Sequence, residues 1–140
     1  MTRKLSDKEK KFWKIVDKIN WKKLCKEHRN PSDFGRRIVR NDCDLMIDEI
    51  HEMYDECVRL YRQLKQKTEI ICMQKCGHKD VNCIKPDIPR LKHVSVSDDG
   101  FNDMLCHVIG LGQKRYYEAL DDIDKMWEPD YVENFSYCFL

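Results

Sequence analysis

One long stretch of the chain repeats its apolar residues with the spacing of an α-helix. Tyr54 and Tyr61 flank this repeat, which lies between about Asp42 and Lys67. Apolar residues three or four positions apart share one face of a helix. The first turns are acidic and the last are basic, which suits the helix dipole. We therefore predict a helix over about Asp42 to Lys67, with a buried seam formed by Met46, Ile50, Met53, Cys57, Leu60 and Leu64.

A second amphipathic helix is predicted near the N-terminus. Ser6 and Glu9 have the spacing of a capping box, in which each side chain bonds the other residue's backbone N–H. The apolar stripe that follows consists of Phe12, Trp13, Ile15, Val16 and Ile19. Further on, Asn30-Pro31 is typical of another helix start.

A third helical stretch is predicted over positions 94–120. Ser97 is a suitable N-cap, and Asp98 and Asp99 favour the positive end of the helix dipole. Gly110 and Gly112 lie inside this stretch, which predicts a close helix crossing or a local kink. Its apolar face comprises Phe101, Met104, Leu105, Val108, Ile109, Leu111, Tyr116 and Leu120.

Length and these helical patterns favour one all-α domain spanning residues 1–140, with four to six helices. The chain has 140 residues, of which 41% are hydrophobic and 36% charged, and this is enough for one core but not two. Residues 68–96 contain Pro86 and Pro89, so we expect an irregular, Cys-rich insertion there.

The sequence also favours an intracellular location. No apolar run approaches the roughly 18 residues that span a bilayer, and the N-terminus lacks the apolar region of a signal peptide. In a reducing compartment the 8 cysteines are expected to be free thiols or metal ligands rather than disulfides.

The stretch ICMQKCGHKDVNC, positions 71–83, is the main candidate site. It holds four potential zinc ligands within twelve residues: Cys72, Cys76, His78 and Cys83. Zinc takes four nitrogen or sulfur ligands, usually from short-spaced pairs. His93, or Cys106 with His107, could replace a missing ligand. The alternative is a thiol-rich loop without metal, so zinc is a possible cofactor and no other is expected.

Charge is unevenly distributed along the chain. Residues 1–40 hold 14 Lys/Arg and 5 Asp/Glu, whereas residues 94–140 hold 3 and 10. A basic region can bind nucleic acid or an acidic partner, or it can pair with the acidic region inside the fold. The candidate binding residues are Lys22, Lys23, Arg36, Arg37 and Arg40.

Two sets of acidic residues could have a catalytic role. Asp98 and Asp99, with His107, could form an acid/base site, although helix capping explains both aspartates more simply. Asp48-x-x-His51 resembles half of a di-metal motif, and a solvated acidic face is the simpler explanation.

The segment SDDGF, residues 97–101, carries a resemblance to a known family. It matches the opening block of the small, mostly bacterial domain-of-unknown-function family numbered 4240. Ile109, Gly112, Ala119 and Leu120 match further along, and FWKIVDKINW and MIDEIHEMYDECVRLY resemble the family's first and middle helices. The chain departs from the family pattern at Val96, Leu105, His107 and Gln113. The resemblance implies a compact helical fold and no known activity.

These patterns favour a non-catalytic interaction or regulatory module that binds a protein partner through the basic N-terminal region or the aromatic C-terminus. Nucleic-acid binding through residues 1–40 is the first alternative, and an enzyme built around Asp98 and Asp99 is the second. We expect no membrane association, and the sequence does not indicate the oligomeric state or the partner.

Overall fold

A computed structural model describes residues 4–19, 45–85 and 96–127. Within these ranges the chain forms helices and no strand, which confirms the predicted all-α class. The helices are α1 (Asp7–Ile19), α2 (Ile47–Cys76), α3 (Asp98–Gly110) and α4 (Gln113–Asp121). Two short 3₁₀ helices, Val81–Ile84 and Ile123–Met126, complete the described elements. None of the described helices is both long enough and apolar enough to cross a membrane.

Helix α1 begins as its sequence predicts. The Ser6 hydroxyl accepts a hydrogen bond from the Glu9 N–H at 3.2 Å, and the Glu9 carboxylate accepts one from the Ser6 N–H at 3.3 Å. This reciprocal pair is the predicted capping box. The helix then buries the predicted stripe, whose described members are Phe12, Trp13, Ile15 and Val16.

Helix α2 is the longest described element, with 30 residues. The predicted seam is buried from Ile50 to Leu64, but Met46 precedes the helix and is exposed. Buried side chains from all the described helices pack with this seam in one apolar cluster. The seam of α2 therefore forms the centre of the core.

The predicted end of α2 at Lys67 is wrong, because the helix continues to Cys76. Thr68 and Cys72 extend the seam at intervals of four residues, and both are buried. Because Thr68 is polar, the sequence pattern does not show that the buried seam continues. Its hydroxyl donates to the Leu64 carbonyl oxygen at 2.8 Å, so the buried polar group is satisfied within the helix.

The predicted single helix over 94–120 is also corrected, since it divides into α3 and α4 at Leu111 and Gly112. Gly112 has φ +106° and ψ 174°, a combination that is open essentially only to glycine. The Asp17 side chain of α1 lies against this break, where its Oδ1 accepts a hydrogen bond from the Gln113 N–H at 3.1 Å. A carboxylate on α1 therefore caps the N-terminus of α4.

We predict that Gly112→Ala destabilises the protein by about 1–3 kcal/mol. The new methyl group would lie 2.5 Å from the Asp17 Oδ1 atom, and alanine disfavours the backbone conformation at this position. Urea unfolding measures the loss. Gly77→Ala is the matched control, because Gly77 has φ +76° but open space around its Cα. Equal losses in the two variants would contradict the proposed role of the Asp17 contact.

Candidate functional site at the end of helix α2

The chain reverses direction immediately after α2. Gly77 adopts a left-handed conformation, and its N–H donates to the Met73 carbonyl oxygen at 3.0 Å. This is a common way to end a helix. Asp80 then caps the 3₁₀ helix Val81–Ile84, since its Oδ1 accepts from the Asn82 N–H at 3.0 Å. Hydrogen bonds from the backbone and side chain of Asn82 hold the pKa of Asp80 below its ordinary value.

The reversal brings Cys76 and Cys83 together, and the structure joins them in a disulfide with a Cα–Cα distance of 6.4 Å. In this structure the pair is thus a disulfide rather than two free thiols, and metal binding by these residues stays a prediction. The reason is geometric, because a left-handed residue after the last helical turn folds the following segment back beside Cys76. Spacing alone did not distinguish this pairing from the alternatives.

His78 lies beside the disulfide. The potential ligand atoms of Cys76, His78 and Cys83 all lie within 4.8 Å of one another. Cys76 is half-buried, whereas His78 and Cys83 are exposed. The His78 Nδ1 atom accepts a hydrogen bond from the Asp80 N–H at 3.2 Å, so the neutral imidazole carries its proton on Nε2. Three of the four predicted zinc ligands are thus adjacent.

The fourth predicted ligand, Cys72, is not part of this group. Cys72 lies one turn earlier in α2 and is fully buried as part of the seam. Burial, and then the negative charges of Asp80 and Glu69, raise the pKa of its thiol. A protonated, buried thiol is a poor metal ligand. Among the described residues Cys106 and His107 do not join the group either, and His93 lies outside the described residues.

Asn82 holds this turn in place, and its sequence context does not single it out. Its side-chain amide donates to the Val96 carbonyl oxygen at 2.9 Å and accepts from the Val96 N–H at 2.7 Å. This two-way contact fixes the turn to the residue before the N-cap of α3. The spacing of Asp80 and Asn82 is a turn signal, but the contact with Val96 depends on the tertiary fold.

The remaining candidates in α3 are a helix-capping serine, two exposed aspartates and a buried histidine. The Ser97 hydroxyl accepts from the Gly100 N–H at 3.0 Å, which confirms the predicted cap of α3. Asp98 and Asp99 lie exposed in the first turn, whereas His107 is buried in the last turn. The acid/base site suggested for these three is therefore not assembled, because they occupy opposite ends of α3.

Asp48-x-x-His51, the half of a di-metal motif in α2, lies on a solvated acidic face, which is the simpler explanation given for it. Asp48, His51, Glu52 and Asp55 are all exposed on the surface of the helix. The basic candidates Lys22, Lys23, Arg36, Arg37 and Arg40 lie outside the described residues, as does the aromatic C-terminus beyond Trp127.

No protein-family model matches this chain, and neither a curated protein nor a solved structure matches it. The resemblance to the family numbered 4240 therefore stays a prediction. The assignment of function depends on the geometry of the described residues.

We predict that reduction of the Cys76–Cys83 disulfide lowers the free energy of unfolding by about 2 kcal/mol, as expected for closing a short loop. Urea unfolding with and without dithiothreitol, in the presence of a chelator, measures the change. The double variant Cys76→Ala, Cys83→Ala should no longer respond to reduction at this level. Cys72→Ala should respond as the wild type does. An equal response in the double variant and the wild type would contradict the prediction.

Proposed function

We propose that this protein is a non-catalytic interaction module, and that it binds a protein partner at a groove beside α2. Exposed apolar side chains next to this groove are the observation that supports the proposal. Ile70 and Met73 are 50% and 46% exposed on the outer side of α2. They are three residues apart and therefore lie on the same face of the helix.

The groove runs between the outer side of α2 and the end of α4. It has a volume of about 320 Å³ and is lined by Gln63, Gln66, Lys67, Ile70, Leu120 and Asp121. The α2 members of this lining follow helical spacing, so they form one continuous strip. This volume is at the lower end of the range for ligand pockets, and we propose that side chains of a partner fill it.

Hydrogen bonds between α4 and α2 support the shape of this groove. The Tyr116 hydroxyl lies 2.8 Å from the Leu60 carbonyl oxygen and 3.1 Å from the Gln63 Oε1 atom. These contacts join α4 to α2 directly beside the groove. A partner would therefore meet a largely preformed surface, which limits the entropic cost of binding.

Charge and polarity indicate the chemistry of the partner. Ile70 offers an apolar contact, and covering its exposed half would contribute about 1 kcal/mol. Lys67 in the groove lining offers a cation next to it on α2, while Asp121 places an anion on the α4 side. We therefore propose a partner segment that presents an apolar side chain beside a carboxylate. The sequence-based routes through the basic N-terminal region and the aromatic C-terminus remain predictions about residues that are mostly outside the described ranges.

Nucleic-acid binding is the second candidate. Exposed lysines on α1 support it, namely Lys8, Lys10, Lys11, Lys14 and Lys18. However, the Lys11 ammonium bonds the Glu49 carboxylate at 2.5 Å. The acidic side chains Asp7 and Asp17 also lie exposed on the same helix. Mixed charge of this kind weakens binding to phosphate, so we place the groove first. The proposed location is intracellular.

A photoreactive apolar amino acid at position 70 should form a discrete crosslink to a partner in cells of the source organism. Mass spectrometry of the product should locate the crosslink next to a carboxylate-bearing residue of the partner. Lys67→Glu should reduce its yield several-fold, because it removes the attraction to that carboxylate. The yield is measured on denaturing gels.

Position 51 provides the matched control. His51 is equally part of α2 and exposed, but it lies twelve residues before Gln63, about 18 Å along the helix axis. The photoreactive residue at this position should give no such product. The same crosslinks from both positions would contradict the proposal, as would a crosslink only to a second copy of this chain.

A further inference from the structure

We infer that Cys76, His78 and Cys83 bind a zinc ion when the Cys76–Cys83 disulfide is reduced, with a fourth coordination position that no other described residue fills. The disulfide and the metal site would then be two alternative states of the same turn. This inference does not depend on the groove beside α2, because it uses none of the groove residues.

The distances fit a small tetrahedral ion. Zinc binds thiolate sulfur at about 2.3 Å and imidazole nitrogen at about 2.1 Å, so its ligand atoms lie roughly 3.5–4 Å apart. The ligand atoms of the three residues already lie within 4.8 Å of one another. Opening the disulfide would free the two sulfur atoms to separate to this spacing. Two thiolates and an imidazole are a donor set that zinc favours.

Contacts other than the disulfide also hold the backbone that positions these ligands. On one side, Cys76 belongs to the last turn of α2, which Gly77 terminates. On the other, Cys83 lies in a 3₁₀ helix held by the buried Val81 and by the two-way contact between Asn82 and Val96. We therefore expect the three ligands to stay close together after reduction, which lowers the cost of ordering them around an ion.

Zinc binding would change one specific hydrogen bond. The His78 Nδ1 atom now accepts from the Asp80 N–H at 3.2 Å. If zinc binds Nδ1, this lone pair is taken by the metal. If zinc binds Nε2, Nδ1 carries the proton instead. Either way the Asp80 N–H loses its acceptor, so the amide of Asp80 reports metal binding directly.

The chemistry balances with a dithiol as reductant. The dithiol transfers two electrons and two protons to the Cys76–Cys83 disulfide, which becomes two thiols, while the dithiol becomes a disulfide. Zinc then displaces the proton of each thiol and binds both thiolates and the His78 nitrogen. Two protons are released to solvent. Oxidation by another disulfide reverses the sequence and releases the ion.

Within the described part of the chain the fourth coordination position is left open, because Cys72 is not available to fill it. The Cys72 side chain is fully buried in the apolar seam of α2, where burial raises the pKa of its thiol. Three protein ligands with an open position are typical of zinc sites that bind water or an external donor. His78 and Cys83 are exposed, so both the reductant and the ion can reach the site.

The test uses the full chain, reduced with a dithiol and freed of it under anaerobic conditions. Cobalt(II) replaces zinc as the probe, since its visible absorption reports tetrahedral thiolate coordination. We expect one equivalent of cobalt to give this spectrum, zinc to displace it, and the Asp80 amide resonance to shift. The oxidised protein should give no such spectrum. Binding of cobalt with equal strength to the oxidised protein would overturn the inference.

Three variants identify the ligands. His78→Ala and Cys83→Ser change exposed residues and should abolish the tetrahedral spectrum while circular dichroism stays unchanged. Cys72→Ala is the matched control, because it removes a nearby cysteine outside the proposed set, and it should bind cobalt normally. Retention of the spectrum in His78→Ala, or its loss in Cys72→Ala, would overturn the three-ligand site.

Discussion

The burial of one face of α2 is the constraint on which the other described elements depend. Leu60 and Leu64 are fully buried at the middle of this helix. The Tyr116 ring of α4 is also fully buried, and its hydroxyl reaches the Leu60 carbonyl oxygen at 2.8 Å. A backbone carbonyl inside a helix already has a partner, so this second bond uses its remaining lone pair. Packing and hydrogen bonding thus fix α4 to the same point of α2.

Helix α1 is held to this centre through aromatic contacts. The Trp13 ring lies 5.3 Å from the Tyr116 ring and 5.7 Å from the Tyr117 ring, measured between centroids. The Trp13 indole N–H donates to the Tyr117 hydroxyl at 3.3 Å, and that hydroxyl donates to the Glu9 Oε2 atom at 3.1 Å. The packing of the aromatic rings and the hydrogen bonds of their polar atoms therefore support the same arrangement of α1 and α4.

A buried carboxylate extends this arrangement to α2. Glu56 is almost fully buried, and the Arg59 guanidinium bonds its Oε1 atom, with the Arg59 Nε at 3.0 Å. The Arg59 Nη2 atom also lies 3.5 Å from the Glu9 Oε2 atom. Burial alone would raise the pKa of Glu9, but hydrogen bonds from Ser6 and Tyr117 outweigh it and the pKa lies below its ordinary value. The Ser6–Glu9 capping box therefore also takes part in the contact between helices.

Local patterns predicted the parts of the fold that depend on local forces. Helical periodicity located the stripe of α1 and most of the α2 seam, and the hydroxyls of Ser6 and Ser97 cap the helices that follow them. The errors arose where tertiary contacts decide the outcome. Thr68 continues the seam because its hydroxyl bonds within the helix. Gly112 breaks the predicted third helix where Asp17 approaches from α1.

Which residues belong to the candidate site depends on both the local sequence pattern and the packing of the core. Four potential cysteine and histidine ligands are close in sequence, but Cys72 packs in the seam of α2 and is buried in the core. Cys76 lies four residues later, beyond the last fully buried position of the helix, and remains within reach of Cys83. The end of the apolar seam thus determines which thiols can react. The anchoring of Asn82 to Val96 fixes the turn to the residue before the N-cap of α3, and in the proposed metal site this contact would hold the ligands together after reduction.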